Sequence, residues 1–136
     1  MIDDNDDDSL DGLGCDELAS SEKGGRVGIS RDIKREFDAL DEKQQGRFIG
    51  IMKLWCEGRK LAPTMFNYNE GRSKQKNLLI QAFKAFKIRF YGFERHLSDR
   101  RTFIIIDYDP AKKQDKADPN ILKRAKSSAD EIMKDV

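Results

Sequence analysis

The sequence predicts an α+β domain in which helices lie on one face of a largely antiparallel sheet. Three observations predict it. Two stretches with helical apolar spacing, between about residues 30 and 58, precede any long strand. A β-rich run from about 78 to 108 follows with tight connections, and a last helix opens at Asp118-Pro119. The expected order is a short N-terminal strand, a two-helix hairpin, an antiparallel sheet of about three to four strands and a C-terminal helix.

At 136 residues the chain has room for one domain and little more. Its net charge of +1 hides an asymmetry. Residues 1–25 hold nine acids and one base, Lys23, which leaves 16 acids and 25 bases in residues 26–136, a net of +9. The division expected is a disordered acidic tail over 1–25 and a basic folded domain over 26–136. The tail is rich in Asp, Ser and Gly with isolated leucines, too little apolar surface to offset the entropy of ordering. A basic domain points to a polyanionic partner. Two cysteines, Cys15 and Cys56, make no disulfide framework and have no His or Cys at metal spacing. The start, MIDDNDDD, lacks the basic region and apolar core of a signal peptide, and no apolar segment approaches the roughly 20 residues of a membrane helix. The expected location is the cytoplasm.

Arg26-Val27-Gly28-Ile29 reads as the short strand after Gly24-Gly25. Ser30 suits an N-cap with Asp32 in the first turn, and Ile33, Phe37 and Leu40 share one helical face. Asp41 with Gln44 forms the pattern of a capping box. Phe48, Ile51, Met52 and Trp55 give the second helix its stripe, and Gly58 ends it. Residues 59–76 carry Pro63, Asn67, Asn69 and Gly71 and read as a basic loop. Its aromatics either stack on single-stranded nucleic acid or tuck Met65 and Phe66 under the domain. Two strands are expected at about 78–86 and 88–96, joined near Lys87, with Lys84 interrupting an apolar row. Ser98-Asp99-Arg100 is a turn and 101–108 the third strand. Asp118 caps the last helix, Pro119 is its first residue, and Leu122, Ala125, Ala129 and Ile132 form its stripe.

No Ser–His or Cys–His arrangement and no phosphate-cradling glycine loop can be defended, and His96 is a lone histidine. Asp107 and Asp109 read as turn residues or as partners of a helix or lysine before they read as metal ligands. What remains is a set of cations on the sheet and its exit loop: Lys84, Lys87, Arg89, Arg95, Arg100, Arg101, Lys112, Lys113 and Lys116. Such a set neutralises RNA phosphates. It can also promote attack of a 2′-hydroxyl on the neighbouring phosphate, a step that needs a base, a cation at the developing charge and an acid for the leaving oxygen. Crowded lysines have lowered pKa values, and Tyr91 or Tyr108 can stack an unpaired base.

The segments AFKAF (82–86), IRFYGF (88–93), TFIIIDYDP (102–110), KKQDKADP (112–119) and ILKRA (121–125) resemble, in content and order, the RelE/HigB superfamily of bacterial toxins, closest to its phage-associated HigB-like branch. KKQDKADPNILKRA is the most specific piece, and the resemblance covers about residues 27–134. It implies a RelE-like fold and the toxin of a toxin–antitoxin system, an endoribonuclease that cuts mRNA on the ribosome by metal-independent 2′-hydroxyl attack. It implies no cofactor and a cognate antitoxin as partner. Carried over by position, Arg89 stabilises the phosphate, Lys84 faces it from the neighbouring strand, and Lys112, Lys113 and Lys116 grip RNA or supply acid/base function. The catalytic candidates are thus Lys84, Arg89 and Lys113, and the RNA-binding candidates Lys112 and Lys116 together with the sheet cations Lys87, Arg95 and Arg101. Many members use a C-terminal Tyr or His that has no counterpart after the last helix, and Tyr108 is the candidate substitute. Asp107, Asp109 and Asp115 dilute the positive field, so the alternative is a nucleic-acid-binding or protein-interaction domain of the same fold without cleavage. The geometric expectation is that Arg89 and the three loop lysines share one concave basic surface.

Overall fold

The computed structural model describes residues 9–22, 24–110 and 117–135. Six strands form one sheet in the order β1-β2-β6-β5-β4-β3. They are β1 (Cys15–Ser20), β2 (Arg26–Ser30), β3 (Phe66–Asn67), β4 (Gln81–Ala85), β5 (Ile88–Leu97) and β6 (Arg100–Asp109), with helices α1 (Arg31–Asp38), α2 (Glu42–Cys56) and α3 (Pro119–Ile132). The α+β class is as expected. Strand pairing is antiparallel except where β2 lies parallel to β6, Val27 opposite Phe103.

The strand count corrects the expectation of three to four, and two small strands make the difference. β3 pairs Phe66 with Phe83 on β4. β1 arises inside the stretch read as a disordered tail, so residues 9–22 are ordered; residues 1–8 lie outside the described residues. Composition could not reveal β1 because its own apolar content is small. Its backbone pairs with β2 along one edge, while buried Cys15 and Ala19 face the domain. Leu10 docks over Gly28, where any Cβ would meet the leucine methyl at 2.5 Å. Arg100 then donates to the carbonyls of Ser21 and Gly25, at 2.9 and 3.1 Å, closing the hairpin.

The helices cover both faces of the sheet, which corrects the one-face expectation. Strand alternation explains it: in β6, Phe103 and Ile105 point to one side and Ile104 and Ile106 to the other, and all four are buried. Phe37, Phe48, Ile51, Met52 and Trp55 of α1 and α2 pack on the first side with Phe83 and Phe90. Edge-on aromatic contacts dominate there, Phe48 with Phe90 at 4.9 Å and Phe83 with Phe103 at 4.7 Å. On the second side Ala125, Ala129 and Met133 lie over Tyr91, Phe93 and Ile104. Small residues on α3 leave room for those larger strand side chains.

The caps follow the local chemistry. Asp41 accepts from the Gln44 amide at 2.7 Å while the Gln44 side chain accepts from the Asp41 amide at 3.1 Å. Asp118 accepts from the amide of Asn120 at 2.9 Å, with Pro119 at the helix start. Gly58, at φ +82°, ends α2 in the left-handed region. Phe86 and Lys87, at φ +53° and +63°, make the tight β4–β5 turn.

Candidate functional site

The site is built where β4, β5 and β6 end together beneath the start of α3. Lys84 stands opposite Arg89, and Arg89 opposite Asp109, in one row across three strands. Phe83 and Phe90 belong to the α1/α2 side, so alternation turns Lys84 and Arg89 toward the α3 side. The β5–β6 register slips between Tyr91 and Gly92, which pair with Asp107 and Ile105, leaving Ile106 as the extra residue. The bulge puts Ile106 and Asp107 on the same side. Asp107 is thereby buried, and the Arg124 guanidinium of α3 holds it through two bonds of 2.7 Å. That ion pair holds the Arg124 proton more tightly than usual.

Arg89 forms an ion pair at 3.2 Å with Glu70, which follows β3 in the basic loop. The Arg89 side chain is 12% exposed and that of Glu70 only 6%. The Glu70 amide donates to the Ile80 carbonyl at 2.7 Å, fixing the loop against β4. Tyr91, two residues beyond Arg89 on the same side, is fully buried, and its hydroxyl has no hydrogen-bond partner among the described residues. Burial first, then the negative charge of Glu70 outweighing Arg89, pushes its pKa well above the usual tyrosine value.

The predicted site residues fall into separate places. Lys84 and Arg89 are together, but Arg89 is shielded and paired rather than open on a basic surface. Tyr108 lies on the other side of the sheet, its ring 5.1 Å from Phe90, so it is not beside Arg89. Burial, then Glu36 and Asp109, raises its pKa. Lys87 is exposed at the turn tip. Arg95 is exposed six residues along β5 from Arg89, roughly 20 Å at strand spacing. Arg101 serves the fold: its guanidinium lies 3.7 Å from the Trp55 ring centroid and donates twice to the Trp55 carbonyl, at 3.0 and 2.8 Å. Lys112, Lys113 and Lys116 lie outside the described residues, and with them the test of the shared basic surface. His96 is exposed on β5. Of the two readings of residues 59–76, Phe66 takes the buried one, while the Tyr68 hydroxyl accepts from the Leu61 amide at 2.8 Å.

Glu70 is the residue that sequence reasoning missed. The available signal was that it is the sole acid in the basic stretch 59–76. Both cysteines are buried and free, and burial pushes the Cys15 thiol up to about 12 and the Cys56 thiol up to about 11, so neither supplies a nucleophile near neutrality. Among the described residues no group of His, Cys, Asp and Glu could hold a metal ion, and no helix is long and apolar enough to cross a membrane. Compared with protein-family models, curated proteins and solved structures, the chain matches none.

Proposed function

We propose that the chain is a RelE/HigB-like toxin, an endoribonuclease that cuts mRNA by 2′-hydroxyl attack, silenced by a cognate antitoxin and acting on the ribosome in the cytoplasm. The observation that carries this reading is the grouping of Glu70, Arg89 and Lys84 at one end of the sheet. The step needs a base, and the Glu70 carboxylate is one. It needs a cation for the charge that develops on the phosphate, and Arg89 is 3.2 Å from that carboxylate. When Glu70 takes the hydroxyl proton its hold on Arg89 weakens, which strengthens the pull of the guanidinium on the phosphate. Lys84, on the neighbouring strand, protonates the leaving 5′-oxygen. The order of elements, with a short strand, a helix pair, a strand run and a capped helix, agrees with the resemblance over 27–134.

The second reading is an RNA-binding or protein-interaction relative that does not cut. It is favoured by the shielding of Arg89 and its neutralisation by Glu70. Induced expression followed by primer extension across cellular messages separates the two. The toxin reading expects cleavage and growth arrest in the wild type. It expects a loss of about 10²-fold or more in Glu70→Gln and Arg89→Ala, typical for a general base or charge-stabilising group. Intact messages in the wild type, or undiminished cutting by Arg89→Ala, refute it.

A further inference from the structure

Beyond the Glu70–Arg89 pair, α3 and the segment 72–76 enclose a second surface feature. The Asp130 carboxylate of α3 accepts from the backbone amides of Gln75 and Lys76, at 3.0 and 2.9 Å, and docks that segment against the helix. Between them runs a groove of about 320 Å³ in which every lining side chain is polar or charged. Lys74, Lys123, Lys126 and Lys134 project into it. Its acids are already engaged: Asp130 holds the two amides, and Glu131 is 2.8 Å from Lys134. Lys74, Lys123 and Lys126 make no ion pair among the described residues. Lys126 lies so close to Gly71 that a Cβ there would be 2.8 Å from its ammonium. Gly71, against which Lys126 lies, is the residue after Glu70, so the groove and the buried pair share one loop.

We propose that this groove is a docking surface for the phosphate backbone of single-stranded RNA, leading the strand toward Glu70 and Arg89. Three uncompensated ammonium groups on a rigid edge suit successive phosphates. A protein partner is disfavoured because the groove offers no apolar side chain to anchor one, whereas protein interfaces centre on buried aromatic and aliphatic contacts. The choice of RNA over other polyanions rests on the endoribonuclease reading.

The test is fluorescence anisotropy of a 2′-O-methyl oligouridylate with the full chain over a salt series. That RNA lacks the attacking hydroxyl, so binding is read apart from cleavage. Each phosphate contact on a single strand contributes about 0.7 to the slope of log K against log salt, so Lys74→Glu, Lys123→Glu and Lys126→Glu together should reduce it by about 2. A control with the same charge change on exposed Lys43, Arg47 and Lys60 should leave the slope unchanged. Equal losses in both triple variants, or an unchanged slope in the groove variant, overturn the site. Polyglutamate binding as tightly as the RNA overturns the choice of partner. Intact messages in cells together with a groove-specific slope leave the docking surface standing and remove the cleavage reading; cut messages without a groove effect do the reverse.

Discussion

Arg101 decides between two uses of a cation on this sheet, RNA contact and internal clamp. Arg101→Ala removes three interactions at once. The ion pair with Glu94, at 3.6 Å between side chains 30% and 40% exposed, contributes about 0–1 kcal/mol. The stacking on Trp55, partly open to water, contributes about 0.5–1 kcal/mol. The donors to the Trp55 carbonyl would count for about 1.5–3 kcal/mol if that oxygen were orphaned. It is not, because the Gly58 amide also donates to it at 2.9 Å, and the lower end applies. Allowing for non-additivity, the expected loss is about 2–3 kcal/mol. With a urea m-value of about 1.5–2 kcal/mol/M, the unfolding midpoint falls by about 1–2 M. Trp55 is the only tryptophan and lies under the mutated group, so its fluorescence follows unfolding, with far-UV circular dichroism as the independent probe. Arg101→Lys keeps the charge but not the planar fork, and should recover less than half of the loss. A midpoint within about 0.3 M of wild type, coupled to lost RNA affinity, would refute the structural assignment.

Gly92→Ala should be among the most damaging small substitutions. Its Cβ would lie 2.3 Å from the Ile104 carbonyl oxygen and 2.4 Å from the Phe103 ring, at the register slip that aims Asp107 toward Arg124. Overpacking against backbone costs about 3 kcal/mol, a fall in Tm of about 10 °C, and calorimetry showing less than about 2 °C would contradict the close approach. Asp130→Asn should lower stability at pH 7 by about 1–2 kcal/mol, read by urea titration. Burial alone would raise the Asp130 pKa, but hydrogen bonds from Gln75, Ser73 and Lys76 outweigh it and hold it below the usual value. A depressed carboxylate stabilises the fold above the unfolded-state pKa, about 3.9, and that contribution is lost as pH falls through the lower folded-state value. The gap between wild type and Asp130→Asn should therefore be full above about pH 5 and close in acid; a gap that is constant with pH would count against the clamp.

What could be read from the chain was local. Phe103-Ile104-Ile105-Ile106 is apolar on both alternating positions, as a strand covered on two faces must be, and Asp41, Gln44, Asp118 and Pro119 act within four residues of themselves. The same run also held evidence against the one-face expectation, since a one-sided sheet needs only every second residue apolar. β1 was not legible because its ordering depends on Gly28, Leu10 and Arg100, contributed from outside the strand. Lys84 and Arg89 were legible as neighbours because one tight turn joins their strands. Glu70 was not, because nothing local links a loop acid to a guanidinium nineteen residues on.

Several arginines of the basic domain are engaged by the fold, so the polyanion-binding proposal rests on its lysines. Arg26, Arg89, Arg100, Arg101 and Arg124 all donate to carbonyls, hydroxyls or carboxylates of the fold. A planar group with several fixed donors suits that work, and its weak hydration lets it enter half-buried places. An ammonium is strongly hydrated and tends to stay in water, as Lys74 and Lys123 do. The net charge of +9 over 26–136 thus includes arginines engaged within the fold. Lys74, Lys123 and Lys126 lie along α3 and the 72–76 segment, part of the loop that also carries Glu70, the ion-pair partner of Arg89. On the proposed reading, weakening the Glu70 contact favours a phosphate on Arg89, and the groove lysines lead the strand toward it.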